Sequence, residues 1–248
     1  MKMAAGSIRP FGRAADLDVA FEGVDRPFLI TALLAQCSDV TDAEAWWRER
    51  VGGRLATLLS LAAVSDGVDT LAARLRCPQA ECGSEFEIEL RTSLLSDAPG
   101  PERVSVTLPD GSHALVRQPT GEDQRRWARQ HYTSQREAIA TIVDALVVEG
   151  RVATGDEGAL AAVAAVLADH DPLVDFVVSS ACPSCEQPVE TAIDLEGLAL
   201  ARLAAVRRSL LADVHALASA YGWTEREILA IPAGRRATYR ALIDEAGR

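Results

Sequence analysis

Arg76-Cys77-Pro78-Gln79-Ala80-Glu81-Cys82-Gly83 and, about a hundred residues further on, Ala181-Cys182-Pro183-Ser184-Cys185 are the stretches on which the reading of this chain turns. Each first cysteine is followed by proline. Each second cysteine is followed by a polar turn and then by alternating residues, Phe86, Ile88 and Leu90 in the first copy and Val189, Thr191 and Ile193 in the second. That is a turn followed by a strand, twice. A structural zinc site takes four thiolates in a tetrahedron, and short Cys-turn-Cys units supply them two at a time on opposed hairpins. The pattern predicts one ribbon split into two distant halves, with Cys77, Cys82, Cys182 and Cys185 around a structural Zn2+. The alternative is reduced cysteines in ordinary turns, since most ribbons close over a shorter insert.

Working outward, 248 residues with 48% hydrophobic content suffice to bury a core without help. The fifth cysteine, Cys37, lies in the apolar run Phe28, Leu29, Ile30, Leu33, Leu34 and reads as a buried thiol. No disulfide framework is implied. The start, Met1-Lys2-Met3-Ala4-Ala5-Gly6, lacks the apolar block of a signal peptide, and no stretch approaches the ~20 unbroken apolar residues that span a bilayer. A cytoplasmic protein is expected, with its thiols reduced and open to metal. The net charge of −11 argues against a nucleic-acid surface. Residues 196–248 hold eight Arg against six acids, while residues 1–195 carry a net −13, so an acidic body and a mildly basic tail present different surfaces.

Before the first knuckle, Leu17, Val19 and Phe21 alternate as a short edge strand does. Helices are expected over Phe28–Ala35 and, after a capping box at Thr41 and Glu44, through Trp46, Trp47, Val51, Leu55, Leu58 and Leu59. Val68–Leu75 reads as a strand or short helix leading to Cys77. Between the knuckles, Val104–Leu108 and Ala114–Val116 flank Pro109-Asp110-Gly111, a hairpin signal. Thr120 with Asp123 opens a helix bearing Trp127. Ser134 with Glu137 opens another, with Gly150 as its stop, and a third runs from Asp156 to Leu167 before Pro172.

From Leu198 the apolar positions Leu203, Val206, Leu210, Val214, Leu217 and Tyr221 share one face of a long helix closed by Gly222. Thr224 and Glu227 form a capping box, with Trp223 and Ile228 spaced as a hydrophobic staple. Pro232 begins a last helix carrying Arg235, Arg236 and Tyr239. The fold class expected is α+β, mainly helical, in three parts: residues 1–95, helical with the first knuckle; 96–180, a hairpin-plus-helices insert; and 181–248, the second knuckle with a C-terminal helical module. A chain cut near Glu196 is expected to keep metal and fold.

The segment Asp213-Val-His215-Ala-Leu-Ala-Ser-Ala-Tyr221-Gly-Trp223-Thr-Glu-Arg-Glu227-Ile-Leu229-Ala-Ile-Pro232, followed by Arg235, Arg236 and Tyr239, resembles the ending of a family encoded with phage-like contractile tails and bacterial contractile injection systems. Its members are described as baseplate proteins or as baseplate hub assembly chaperones similar to those of T-even phages. Cys77-Pro with Phe86–Leu90, Arg117-Gln-Pro119-Thr120-Gly-Glu-Asp123, and Cys182-Pro-Ser-Cys185 follow the family's order, so the resemblance covers the chain from about Asp25 onward. Relatives usually carry Cys-x-x-Cys at both knuckles, whereas four residues separate Cys77 from Cys82 here.

The resemblance implies a non-catalytic accessory of tail assembly that binds baseplate-hub or other tail-assembly proteins, with Trp223, Arg235, Arg236 and Tyr239 as the expected contact residues. The residues agree with a non-enzyme. No Gly-rich phosphate loop, His-Glu-x-x-His or Gly-x-Ser-x-Gly occurs, and His113, His131, His170 and His215 are scattered. A permanent structural part of the baseplate and a zinc-ribbon nucleic-acid adaptor are the alternatives.

Overall fold

The computed structural model describes residues 7–95 and 100–246. The first six residues, on which the leader reading rests, and the boundary drawn between 95 and 96 lie outside or at the edge of the described residues. The chain is mainly helical α+β, as the residue pattern predicts. Its main core is a helical layer: α1 (Ala14–Leu17), α2 (Arg26–Cys37), α3 (Ala43–Arg48), α4 (Val51–Asp66) and the long α8 (Leu195–Tyr221). Leu33, Leu58, Leu61, Leu195 and Leu203 are among the side chains sealed within it, and α4 packs along α8. Cys37 sits in this core as a buried thiol, pushed up to about 11 first by burial and then by the charge of Asp16.

Two two-stranded antiparallel hairpins leave this layer. β1 (Thr70–Arg76) pairs with β2 (Glu85–Arg91), and β6 (Val177–Ala181) pairs with β7 (Pro188–Ala192). Between them lies the insert, a three-stranded sheet in the order β3-β4-β5 (Arg103–Thr107, His113–Arg117, Val147–Glu149) with α5 (Gly121–Trp127), α6 (Gln135–Leu146) and α7 (Glu157–His170). The insert has its own apolar cluster around Val106, Val116 and Val163. The third segment is not separable in the same way, because α8 fills the core shared with α2 and α4. A cut near Glu196 therefore removes core and not an appended module. Beyond α8 come α9 (Glu225–Ala230) and α10 (Ala233–Ala246).

Several boundaries differ from the pattern in the sequence, each for a local physical reason. The expected strand at Leu17–Phe21 is instead α1 followed by coil. Asp16 is wholly buried and accepts from the backbone N–H of Gly12 and Arg13, both at 2.8 Å, and pairs with Arg9 at 2.6 Å, so an acid captures the backbone that a strand would need. The expected continuous helix from Thr41 to Leu59 breaks at Glu49 and Arg50. There the insert takes over the backbone: Val51 N–H donates to Pro119 O and Gly121 N–H to Glu49 O, both at 3.0 Å. The N-cap is Asp42, not Thr41. Helix α6 ends at Leu146, ahead of Gly150, because Val147–Glu149 join β4 as a strand.

The seam between body and insert is polar. Arg54 is 2% exposed, donates to Pro27 O (2.8 Å), Thr31 Oγ1 (2.7 Å) and Gln124 Oε1 (3.0 Å), and lies 5.0 Å from the Trp47 ring centre. Burial draws its guanidinium down to about 10. A Cβ at Gly121 would sit 2.0 Å from Arg54 Nη1, so any side chain there has to displace the buried guanidinium. Arg117 holds Asp123 with two bonds of 2.6 and 2.9 Å, while Thr120 completes the capping box of α5.

Candidate metal centre

The hairpins are anchored where α4 ends and α8 begins. Arg202, on the first turns of α8, grips Asp66 and the Val68 carbonyl and donates to Thr70 O at 2.7 Å, which fixes the start of β1. On the other side, β7 runs almost directly into Asp194, whose side chain caps α8 through Gly197 N–H. The two ribbons thus emerge side by side although a hundred residues separate them.

At their tips the turns are near copies. Cys77 N–H donates to Ser84 O, and Cys182 N–H to Gln187 O, each at 2.9 Å and each to the residue two places beyond the second cysteine. The longer first turn absorbs its extra residues by letting Gln79 O accept from both Cys82 and Gly83. In both turns the residue after the second cysteine is left-handed, Gly83 at φ 54° and Glu186 at φ 59°. Glycine takes that conformation freely and glutamate does not. A hydrogen bond of 2.9 Å from Ser184 Oγ to Ser84 Oγ ties one turn to the other.

The four thiols converge as the spacing predicts. The Sγ atoms of Cys77, Cys82, Cys182 and Cys185 all lie within 4.8 Å of one another, with Cys77–Cys185 at 3.6 Å and Cys82–Cys182 at 3.8 Å. Zinc–sulfur bonds of about 2.3 Å in a tetrahedron require sulfur–sulfur edges of about 3.8 Å, so the cluster is already near the size of a tetrathiolate site. Cys77 and Cys182 are buried with Val189, while Cys82 and Cys185 are half-buried beside Phe86.

Backbone N–H groups point at the sulfurs: Gln79 toward Cys77, Ser184 and Cys185 toward Cys182, and Gln187 toward Cys185. The Cys182 thiol is drawn down to about 7, first by the Ser184 N–H. Cys185 is pushed up to about 12: the Gln187 N–H favours its thiolate, but burial and the neighbouring thiols outweigh it. Negative charges packed this closely repel one another, so four thiolates coexist here only with a cation to compensate them. The chemistry of the donor set is therefore that of a metal site, and four sulfurs in a tetrahedron leave no open position for substrate.

The other singled-out residues lie elsewhere. Trp223 does not seal a core. Its ring stacks on Tyr221 (4.7 Å between centres, 21° between planes) and meets Tyr239 edge-on at 5.2 Å, and Tyr221 is 41% exposed. Ile228, the other half of the expected staple, is fully buried. Arg235 is exposed on α10. Arg236 is a correction: it is 9% exposed, pairs with Asp213 at 3.3 Å and donates to Ile231 O at 2.6 Å, so the fold itself uses its guanidinium. Asp213 also takes Arg240 at 3.4 Å.

No family model, curated protein or solved structure matches the chain. Among the described residues no helix is long and apolar enough to cross a membrane.

Proposed function

We propose that the chain is a non-catalytic assembly chaperone for the baseplate hub of a phage-like contractile tail or contractile injection system, in which Cys77, Cys82, Cys182 and Cys185 hold one structural Zn2+ and the terminal helices grip the hub protein. Soft thiolates on tetrahedral edges suit zinc, which serves as a staple between two hairpins and not as a reaction centre. The observation that carries the docking assignment is the surface cluster of Tyr221, which is exposed, with the half-buried Trp223 and Tyr239. It lies at the far end of α8, a 27-residue helix about 40 Å long that starts where the hairpins are anchored. Tyrosine, tryptophan and arginine dominate binding energy at interfaces, and Arg235 projects from the adjoining helix while Arg236 is committed inside. The cytoplasm, where thiols stay reduced, is the compartment that suits this site.

The test has two arms. Metal analysis of freshly purified, reduced protein should find about one zinc per chain; none, or iron in its place, overturns the metal assignment. Co-expression with tube, hub and spike proteins should give capture that Trp223→Ala with Arg235→Ala abolishes while the melting temperature falls little. Unchanged capture by that double variant would remove the tip from the interface. Recovery of the chain in finished sheathed particles would make it a permanent baseplate part and not a chaperone.

A further inference from the structure

Two arginines of α8 stand without a countercharge beside an apolar groove. Gly197, Leu200, Ala204, Arg207 and Arg208 follow one another along α8 at three- and four-residue steps and form one wall; the loop 20–25 between α1 and α2 forms the other, around a volume of about 520 Å³. The loop is held at both ends. Arg207 Nε donates to Leu17 O at 2.8 Å, and Arg26 pairs with Asp194 at 2.7 Å. Phe21, which meets Phe11 edge-on at 6.1 Å, lines the groove from the core side together with the buried Leu29 and Leu200. The apolar lining ends at Arg207 and Arg208. Arg208 is exposed and makes no hydrogen bond or ion pair among the described residues, and the Nη groups of Arg207 make none either. Among the described residues that line the groove only Glu22 is acidic, and it pairs with neither arginine. A chain of net charge −11 has ample acid to neutralise this pair and does not. We propose that the groove is a docking site for an extended acidic segment of a partner protein, apolar where it lies over Phe21, Leu200 and Ala204 and carboxylate-bearing where it passes Arg207 and Arg208.

The dimensions and charges fix the kind of occupant. From Gly197 to Arg208 the helix rises about 16 Å, which is the length of about five residues of extended chain. The Arg26–Asp194 pair leaves the Gly197 end of the groove neutral, so apolar residues belong there and the acids at the other end. Guanidinium groups take carboxylates through paired N–H donors, and charges at the rim of an interface set which partner is admitted more than how tightly it is held. A nucleic-acid backbone would need a wider basic field than two arginines on an acidic chain. The small side chain of Ala204 keeps the α8 wall low at mid-groove, where a large one would fill the space. The groove lies on the stretch of α8 before Leu210, away from the aromatic tip, and the proposal does not rest on the hub reading.

The probe is the dye-labelled peptide Leu-Ala-Leu-Glu-Glu, titrated with full-length protein and read by fluorescence polarization. The protein should bind it more tightly than the counterpart with Lys in place of Glu, although a net charge of −11 favours the lysine peptide at long range. It should also prefer it to the counterpart with Ser in place of Leu. Arg208→Glu, at an exposed position without a partner, should weaken binding about tenfold, and added salt should weaken it as well. Ala204→Trp should abolish binding; if that variant fails to fold, Arg208→Glu decides. Trp223→Ala with Arg235→Ala should leave the peptide affinity unchanged, so failure of the tip as a hub contact and failure of this groove are read separately. Equal or tighter binding of the lysine peptide, or an affinity that Arg208→Glu leaves unchanged, would overturn the proposal. An oligothymidine that displaces the peptide and is itself weakened by Arg208→Glu would overturn it too, by giving the groove to nucleic acid.

Discussion

Ending the chain after Gly222 should separate folding from docking, and the structure says how much each side of that cut costs. The cut leaves α8 whole, with Leu203 and Leu210 still against α4, and removes α9 and α10. Its main loss is Ile228, fully buried, whose burial contributes about 3 kcal/mol at most. For a chain of this size that corresponds to a fall in melting temperature of about 6–12 °C. A cut before Glu196 is different in kind. It removes Leu200, Leu203 and Leu210, all buried, for about 5–9 kcal/mol, and Arg202 with its grip on Asp66 and β1. Total stability of a protein is about 5–15 kcal/mol, so that chain should not fold. The assay is thermal unfolding with metal stoichiometry on both chains, and hub capture on the longer one. Cooperative melting and full metal content in the chain cut before Glu196 would refute the placement of α8 in the core. Hub capture by the chain ending at Gly222 would refute docking through the tip.

Other expectations follow from single residues. Cys182→Ser should abolish stoichiometric metal binding, whereas Cys37→Ala, in the main core, should lower stability and leave metal content unchanged; metal analysis of both variants checks this. Glu186→Gly should raise stability by about 0.5–1 kcal/mol, because the left-handed strain it relieves exceeds the added freedom of the unfolded chain, and a urea midpoint reads it. Burial works to raise the carboxyls of Asp16 and Asp123, but the hydrogen bonds from Arg9 and Arg117 and from nearby backbone N–H groups outweigh it and hold both below the usual range. Their contribution is therefore complete above about pH 4 and is lost as pH falls through the lowered values. Urea midpoints should drop in acid, and Asp123→Asn should be less stable at neutral pH with a shallower acid limb.

The metal centre was legible because both halves of its geometry are written locally. A Cys-Pro turn followed by alternating residues fixes a hairpin, and two of them fix a tetrathiolate site once something brings them together. What brings them together was not legible. Arg202 and Asp66 lie far apart in sequence, and neither stands out among the other charges of an acidic chain. The same holds for Arg54, which looks like one more arginine on a helix and is the buried hub between α2, α4 and α5. Gly121 was visible only as part of a capping segment, although the Arg54 guanidinium is what excludes a side chain there. Breaks in regular structure failed for a related reason. The helix expected through Glu49 and Arg50 yields to backbone bonds from Pro119 and Gly121, an override by tertiary contact that helical periodicity cannot register.

Charge and aromatic content together mislead about the tail. A near-neutral, helix-rich stretch after an acidic one looks like a separate module, yet the apolar face that made α8 recognisable is the face it buries against α4. Periodicity announces that a helix has something to bury but does not name the partner. Past Leu210 no buried residue of α8 belongs to the main core, and the pattern changes meaning: Tyr221, Trp223 and Tyr239 pack on one another at the surface, while the charge that looked free, Arg236, is held by Asp213 from α8. Of the two neighbouring arginines on α10, one fixes the angle of the tip and the other is left facing outward. A substitution at Arg236 therefore reports on folding, and of the two only Arg235 can test the proposed docking.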